Sequence, residues 1–147
     1  MNHTQAISEQ SDSLIGLLTD QCADLERLLA LAREETVAAE LGNFGTLLNI
    51  SSERAEIGKR LETFQRQIAE LRGFLGKNEE NPQRQEVTKR AVELANLTLE
   101  QDQKTLLLLS AVREQAGEDL KKLESGNRGA NIYLREQQKG LALNGNF

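Results

Sequence analysis

Reactive and metal-binding residue types are scarce in this sequence of 147 residues. It has one cysteine, one histidine, one proline, one tyrosine and no tryptophan. With Cys22 alone, no disulfide can form within the chain, and with His3 as the only histidine there is no Cys/His cluster of the kind that binds zinc. Cys22 belongs to a stripe of apolar residues at helical spacing, which indicates a small buried side chain rather than a nucleophile. The sequence therefore predicts no catalytic residue, no metal site and no cofactor, and we do not expect an enzyme.

A basic surface and long hydrophobic runs are also missing. The net charge is −5, whereas nucleic-acid binding requires a basic face. The apolar run Leu106–Leu109 is far too short to cross a membrane. The polar start MNHTQAISEQSDS has no basic segment followed by an apolar one, so it is not a signal peptide. These features predict a cytosolic protein that neither binds nucleic acid nor inserts into a membrane.

The residues that are abundant favour long helices. Glu, Gln, Lys, Arg, Leu and Ala dominate, and these residue types have high helix propensity. Apolar residues spaced three and four apart predict helices at about 5–41, 44–75 and 82–124. Short connections make neighbouring helices antiparallel. The expected fold is all-α, an elongated antiparallel three-helix bundle (up-down-up) over residues 1–124. The predicted helix boundaries are Gly42-Asn43, Gly76, and Asn81 followed by Pro82.

The final segment, residues 125–147, differs from the body of the chain. Ser125-Gly126 is predicted to end the third helix, and the segment carries +2 where residues 1–124 carry −7. We expect a flexible or partly helical tail. Ile132, Tyr133 and Leu134 are its main apolar residues. The sequence leaves open whether they order on a partner protein or pack against the end of the bundle.

A second apolar stripe distinguishes the third helix. At 100° per residue, one side carries an ample core face. Leu99 and Leu106 lie on the opposite side, Ser110 and Gly117 continue their line, and Leu107 points in a third direction. The stripe fits a groove for a partner's helix. A shifted core face, a wider bundle or a tail folded over the stripe remain alternatives. The predicted core face comprises Val87, Ala91, Leu94, Leu97, Thr98, Leu108, Leu109, Val112, Ala116 and Leu123.

The layout as a whole resembles a known family. A long first helix with LIGLLTDQCADLERLLALAREE, a short break and second helix in GNFGTLLNISSERAEIGKRLE, a third helix and a Gly-rich tail with one tyrosine are similar to FlgN-type flagellar export chaperones. The similarity in pattern covers residues 14–71, and the tail tyrosine is Tyr133. The resemblance implies a non-catalytic protein of the bacterial cytosol. It would bind the C-terminal helical segments of hook-associated (hook–filament junction) proteins, prevent their early assembly and bring them to the export gate.

The resemblance also implies where partners bind. The third helix and the tail would contact the client, and Tyr133 would contact a component of the export gate. The predicted client-binding residues are Leu99, Leu106, Leu107, Ser110 and Gly117. The predicted tail contacts are Ile132, Tyr133 and Leu134. The main alternative is a helical adaptor or structural bundle that self-associates through the Leu99/Leu106 stripe, as a homo-oligomer with no export role.

Overall fold

The computed structural model describes residues 3–76 and 81–143, which form three helices. These are α1 (His3–Leu41), α2 (Phe44–Leu75) and α3 (Pro82–Leu143), and the described residues contain no strand. The all-α, three-helix prediction is confirmed. The expected turn residues 77–80 and the last four tail residues lie outside the described part, as does the side chain of His3.

The helix boundaries are set by the residues that the sequence indicates. Gly42, directly after α1, adopts a φ of 68°, a left-handed conformation that glycine takes without steric cost. Asn43 then caps α2, because its side-chain oxygen accepts a hydrogen bond of 3.2 Å from the amide three residues on. Gly76 ends α2 with a φ of 72°. Asn81 caps α3 through a 2.9 Å bond to the amide two residues on. Each predicted boundary before residue 124 is thus confirmed.

The hydrophobic core lies in the first of two compact units, which spans Met1–Leu108. It consists of three clusters along the bundle, and each helix contributes at least one fully buried residue. α1 contributes to all three clusters, because its apolar residues recur every three or four positions and form a stripe wide enough to contact both α2 and α3. The buried members are Leu14, Leu18 and Ile68 in the first cluster, Cys22, Leu29 and Leu94 in the second, and Leu31, Ile50 and Ile57 in the third.

The order of these contacts defines the helix directions. Leu18 of α1 packs with Ile68 of α2, whereas Leu31 packs with Ile57, so the two helices run antiparallel. On the other side of α1, the Cys22 thiol donates a hydrogen bond of 3.4 Å to the carbonyl of Val87 in α3. Farther along, Thr36 of α1 lies next to Thr105 of α3, so these two helices are parallel. The predicted up-down-up order is confirmed.

Near Leu108, a buried polar layer joins α1 and α3. The hydroxyl oxygens of Thr36 and Thr105 are 2.7 Å apart. Each hydroxyl also lies within hydrogen-bond distance of the carbonyl four residues earlier in its own helix. Because a hydroxyl has a single hydrogen, one threonine donates to the other and the second donates to its own helix carbonyl, while the amide of Gln101 donates to the Thr36 hydroxyl. All of these buried polar atoms have hydrogen-bond partners, so the layer avoids the cost of an unpaired buried group.

The second compact unit, Leu109–Phe147, consists of the rest of α3 in the described residues. Here the structure differs from the prediction, because α3 does not end at residue 124 but continues through Ser125 and Gly126 to Leu143. The unit boundary accordingly follows Leu108 and not residue 124. The physical reason is that glycine lowers helix propensity by only about 1 kcal/mol, whereas proline costs about 3. After Pro82 the chain has no proline.

The glycines of this helix provide a direct test of its conformation. A β-carbon added at Gly126 or Gly129 would meet no atom within 4 Å, so alanine fits at both positions. Gly126→Ala with Gly129→Ala is expected to stabilise this part of α3 by about 1 kcal/mol per site. Far-UV circular dichroism should show that the helix content is retained and that this part of α3 melts at a higher temperature. A loss of helix content would contradict a helix through residues 125–129.

Candidate partner-binding surface

The predicted stripe on α3 is exposed in the first unit. Leu99, Leu106 and Leu107 are 60%, 67% and 73% exposed. Leu94 and Thr98, on the opposite side of the same helix, are buried, and Leu94 packs against Cys22 and Leu29 of α1. The bundle therefore uses one face of α3 for its core and leaves three leucines of other faces accessible. The alternative of a core face shifted onto Leu99 and Leu106 does not fit this arrangement.

The other two predicted client-binding residues belong to the second unit. Ser110 and Gly117 are both exposed, and a β-carbon at Gly117 would meet no atom within 4 Å. Leu99 and Leu106 thus share the first unit, while the small residues Ser110 and Gly117 lie on the part of α3 beyond it.

The predicted core face of α3 is only partly correct. Leu94 and Thr98 are buried, but Leu97 is 39% exposed. In the second unit, Val112 and Leu123 are 43% and 65% exposed, and Ala116 is exposed too. The expectation that the core face extends past Leu108 is therefore wrong. The periodicity of the sequence continues there, but no other helix of the described chain belongs to that unit.

The three apolar tail residues are also exposed, and they do not form one patch. Ile132, Tyr133 and Leu134 lie within α3, each more than half exposed. Consecutive residues of a helix point about 100° apart, so the three side chains project in different directions. A partner that contacts Tyr133 would meet a helical face and not an extended apolar segment.

Sequence reasoning missed a groove between α2 and α3 in the first unit. The groove has a volume of about 690 Å³, and Leu25 of α1 forms part of its floor. Val92 and Ala95 line it from α3, and Leu99 lies four residues farther along the same helix face. The stripe predicted from Leu99 and Leu106 is therefore the continuation of the groove wall. The full lining is Leu18, Gln21, Leu25, Leu61, Gln65, Ile68, Ala69, Arg72, Thr88, Ala91, Val92 and Ala95.

An ion cluster connects the helices beyond one end of this groove. The guanidinium of Arg54 in α2 donates two hydrogen bonds of 2.8 Å to the carboxylate of Asp102 in α3. It donates a third, of 3.2 Å, to Glu35 in α1. The hydrogen bonds that Asp102 accepts are the main reason that the pKa of Arg54 is raised, although partial burial opposes this shift. Arg54 thus joins all three helices. The groove lies to one side of this bridge, between residues 61–72 of α2 and residues 88–95 of α3.

The Cys22 thiol is a further reactive group among the described side chains of the first unit. It is buried, and burial together with the charge of Glu26 raises its pKa. The thiol therefore stays protonated at neutral pH, whereas a nucleophilic cysteine reacts as the thiolate. Across residues 3–76 and 81–143, no group of three His, Cys, Asp or Glu side chains is placed to hold a metal ion.

Membrane insertion and similarity to known proteins also bear on the class of protein. Within the described helices, no stretch combines the length and the apolar character needed to cross a bilayer. No protein-family model matches the sequence, and neither a curated protein nor a solved structure is significantly similar to it.

Proposed function

We propose that this protein is a cytoplasmic flagellar export chaperone of the FlgN type. In this proposal it binds helical C-terminal segments of hook-associated proteins, prevents their premature assembly and delivers them to the type III export gate. The observation that carries the proposal is the exposure of Leu99, Leu106 and Leu107. They lie on α3, whose core face already packs against α1 through Leu94. The identity of the client rests on the resemblance in residues 14–71 and in the tail.

The physical basis for client binding is the apolar surface that the bundle leaves uncovered. Burial of one leucine side chain contributes about 1.5–3 kcal/mol, and part of this offsets the entropy lost on association. An amphipathic helix of the client packs on such a stripe with its own residues spaced three and four apart. Binding of a partner helix is therefore the activity that this exposed stripe supports.

The tail residues have a separate role in the proposal. Ile132, Tyr133 and Leu134 contact the export-gate component, with Tyr133 as the main contact. A tyrosine suits this role because its ring buries a large area while its hydroxyl keeps a polar contact. The position of these residues in the second unit keeps them apart in sequence from Leu99 and Leu106.

A second candidate function is a self-associating helical adaptor. It is favoured by the apolar residues of the second unit, since Val112, Leu120 and Leu123 are all exposed on a helix that packs against no other described element of that unit. Two copies would cover these residues by pairing. Light scattering coupled to size-exclusion chromatography separates the candidates, because the adaptor is an oligomer in the absence of any client.

The test of the chaperone proposal is the double variant Leu99→Glu with Leu106→Glu. We expect the affinity for a purified C-terminal segment of a hook-associated protein, measured by isothermal titration calorimetry, to fall at least about tenfold, since two charges would need to be desolvated. Helix content should be unchanged, because both positions are exposed in the free protein.

The matched control is Leu41→Glu with Leu48→Glu. It places the same charges on exposed leucines away from the stripe, and it should bind the segment normally. Undiminished binding by the Leu99/Leu106 variant would contradict the site. Failure of the unaltered protein to bind any hook-associated segment would contradict the function itself.

A further inference from the structure

The groove between α2 and α3 has a largely apolar lining. Its walls are Leu61 and Ile68 from α2 and Ala91 and Val92 from α3, with Leu25 below. Val92 is more than half exposed, and Leu61 and Ala91 are partly exposed. Small side chains on the α3 wall let another helix approach closely, so a helix placed here would complete a four-helix arrangement of the kind that common bundles have.

The two ends of the groove differ in charge. Beyond one end, Arg54 and Asp102 tie α2 to α3. At the other end, an adjoining cavity of about 400 Å³ is lined by three cationic side chains, Arg72, Arg84 and Lys89. None of these three forms an ion pair with another described residue. The neighbouring residues 77–80 lie outside the described part of the chain.

The two cavities are continuous in their lining. Arg72 and Thr88 line both the apolar groove and the cationic cavity. The cations therefore adjoin the end of the groove that the last turns of α2 and the first turns of α3 form, where the end of a bound helix would be. These three cations, without an ion-pair partner among the described residues, lie together in a first unit that carries twelve Lys and Arg against eighteen Asp and Glu.

We propose that this groove binds the last helix of a partner chain in one orientation, with the free C-terminal carboxylate at Arg72, Arg84 and Lys89. The C-terminal end of a helix carries a partial negative charge and unpaired carbonyl groups. A chain-terminal carboxylate adds a full negative charge on the same axis, and arginine binds a carboxylate with two parallel hydrogen bonds. The opposite orientation would bring the positive end of the helix to three cations.

The proposal rests on the proposed function, because it takes the C-terminal helical segment of a hook-associated protein as the occupant. It adds that the groove recognises the end of the chain and not an internal helix. A client whose chain continues past the helix would have no carboxylate at this point. The apolar walls then supply the affinity, and the cationic end selects the direction of the bound helix.

The experiment compares one synthetic peptide, the C-terminal helix of a hook-associated protein, with a free carboxylate and with a C-terminal amide. Both are titrated into the unaltered protein and into the double variant Arg72→Gln with Arg84→Gln. We expect amidation to weaken binding about tenfold at low salt and the double variant to weaken the free-acid peptide by a similar factor. Amidation should have no further effect in the variant, because the two changes remove the same interaction.

Two controls separate local from general effects. Arg33→Gln with Lys104→Gln removes the same charge elsewhere and should leave the preference for the free acid unchanged. Val92→Glu changes the groove wall at an exposed position and should weaken both peptides equally. Equal binding of acid and amide by the unaltered protein would overturn the proposed orientation, even if the arginine variant binds less. If neither peptide nor the full-length client binds, the proposed function fails; if the full-length client alone binds, only this inference fails.

Discussion

Replacement of Leu94 by alanine is expected to lower the free energy of unfolding by about 3 kcal/mol. Leu94 is 1% exposed and is the residue of α3 that is buried with Cys22 and Leu29 of α1. Leucine-to-alanine changes in well-packed cores cost about 2–5 kcal/mol, because the lost transfer free energy adds to that of the remaining cavity. Urea unfolding followed by circular dichroism should show a lower midpoint with a similar slope.

Leu107→Ala is the control for this change. It removes the same atoms from the same helix at a position that is 73% exposed, so it should alter the free energy of unfolding by less than about 0.5 kcal/mol. If both variants lost the same stability, Leu94 would not be a core residue of the kind that the structure shows. The comparison needs no client and is independent of the functional proposals.

The second large effect is expected for Asp102→Ala, at about 2 kcal/mol of unfolding free energy. The change removes both 2.8 Å hydrogen bonds to Arg54. The Arg54 side chain is only 21% exposed, so solvent replaces these bonds poorly. Hydrogen bonds to charged groups contribute about 1.5–3 kcal/mol, and loss of one partner leaves a partly buried charge less well paired. Glu35 remains in contact and limits the loss.

Asp24→Ala is the matched control for Asp102→Ala. Asp24 also receives two hydrogen bonds from one arginine, Arg60, across α1 and α2. The Arg60 side chain is about half exposed, and water readily replaces its partner, so the loss should be clearly smaller. Urea midpoints of the two variants give the comparison. Equal losses would show that the Arg54 cluster gains nothing from its partial burial.

Much of the bundle could be predicted from local sequence signals. Gly42, Gly76 and Asn81 act over only a few residues, and cap geometry depends on those same residues. The core residues of α1 follow from a single helical period. The exposure of Leu99 and Leu106 also followed from the wheel, because the opposite side of α3 already held enough apolar residues to pack against α1.

The rest depends on contacts between distant residues, which periodicity does not contain. The apolar period of α3 continues beyond Leu108, but burial requires a neighbouring helix, and α3 is the only described helix that belongs to the second unit. Ser125-Gly126 resembled a helix end because glycine is frequent at the C-terminal ends of helices. A glycine inside a helix nevertheless costs much less than a proline, so α3 continues through Gly126. The bridge from Arg54 to Asp102 joins residues 48 positions apart. The groove is lined by residues of separate helices, so it too depends on how the helices pack.

The paired hydroxyls of Thr36 and Thr105 constrain how the helices can slide. Leucines along α1 and α3 are interchangeable to a first approximation, so a displacement of α3 by one turn would still bury apolar side chains. It would also separate the two threonines and break the contact between their hydroxyls. We therefore expect that conversion of both residues to valine would retain the helices. It would also let α1 and α3 pack in more than one alignment, each displaced from the next by one helical turn.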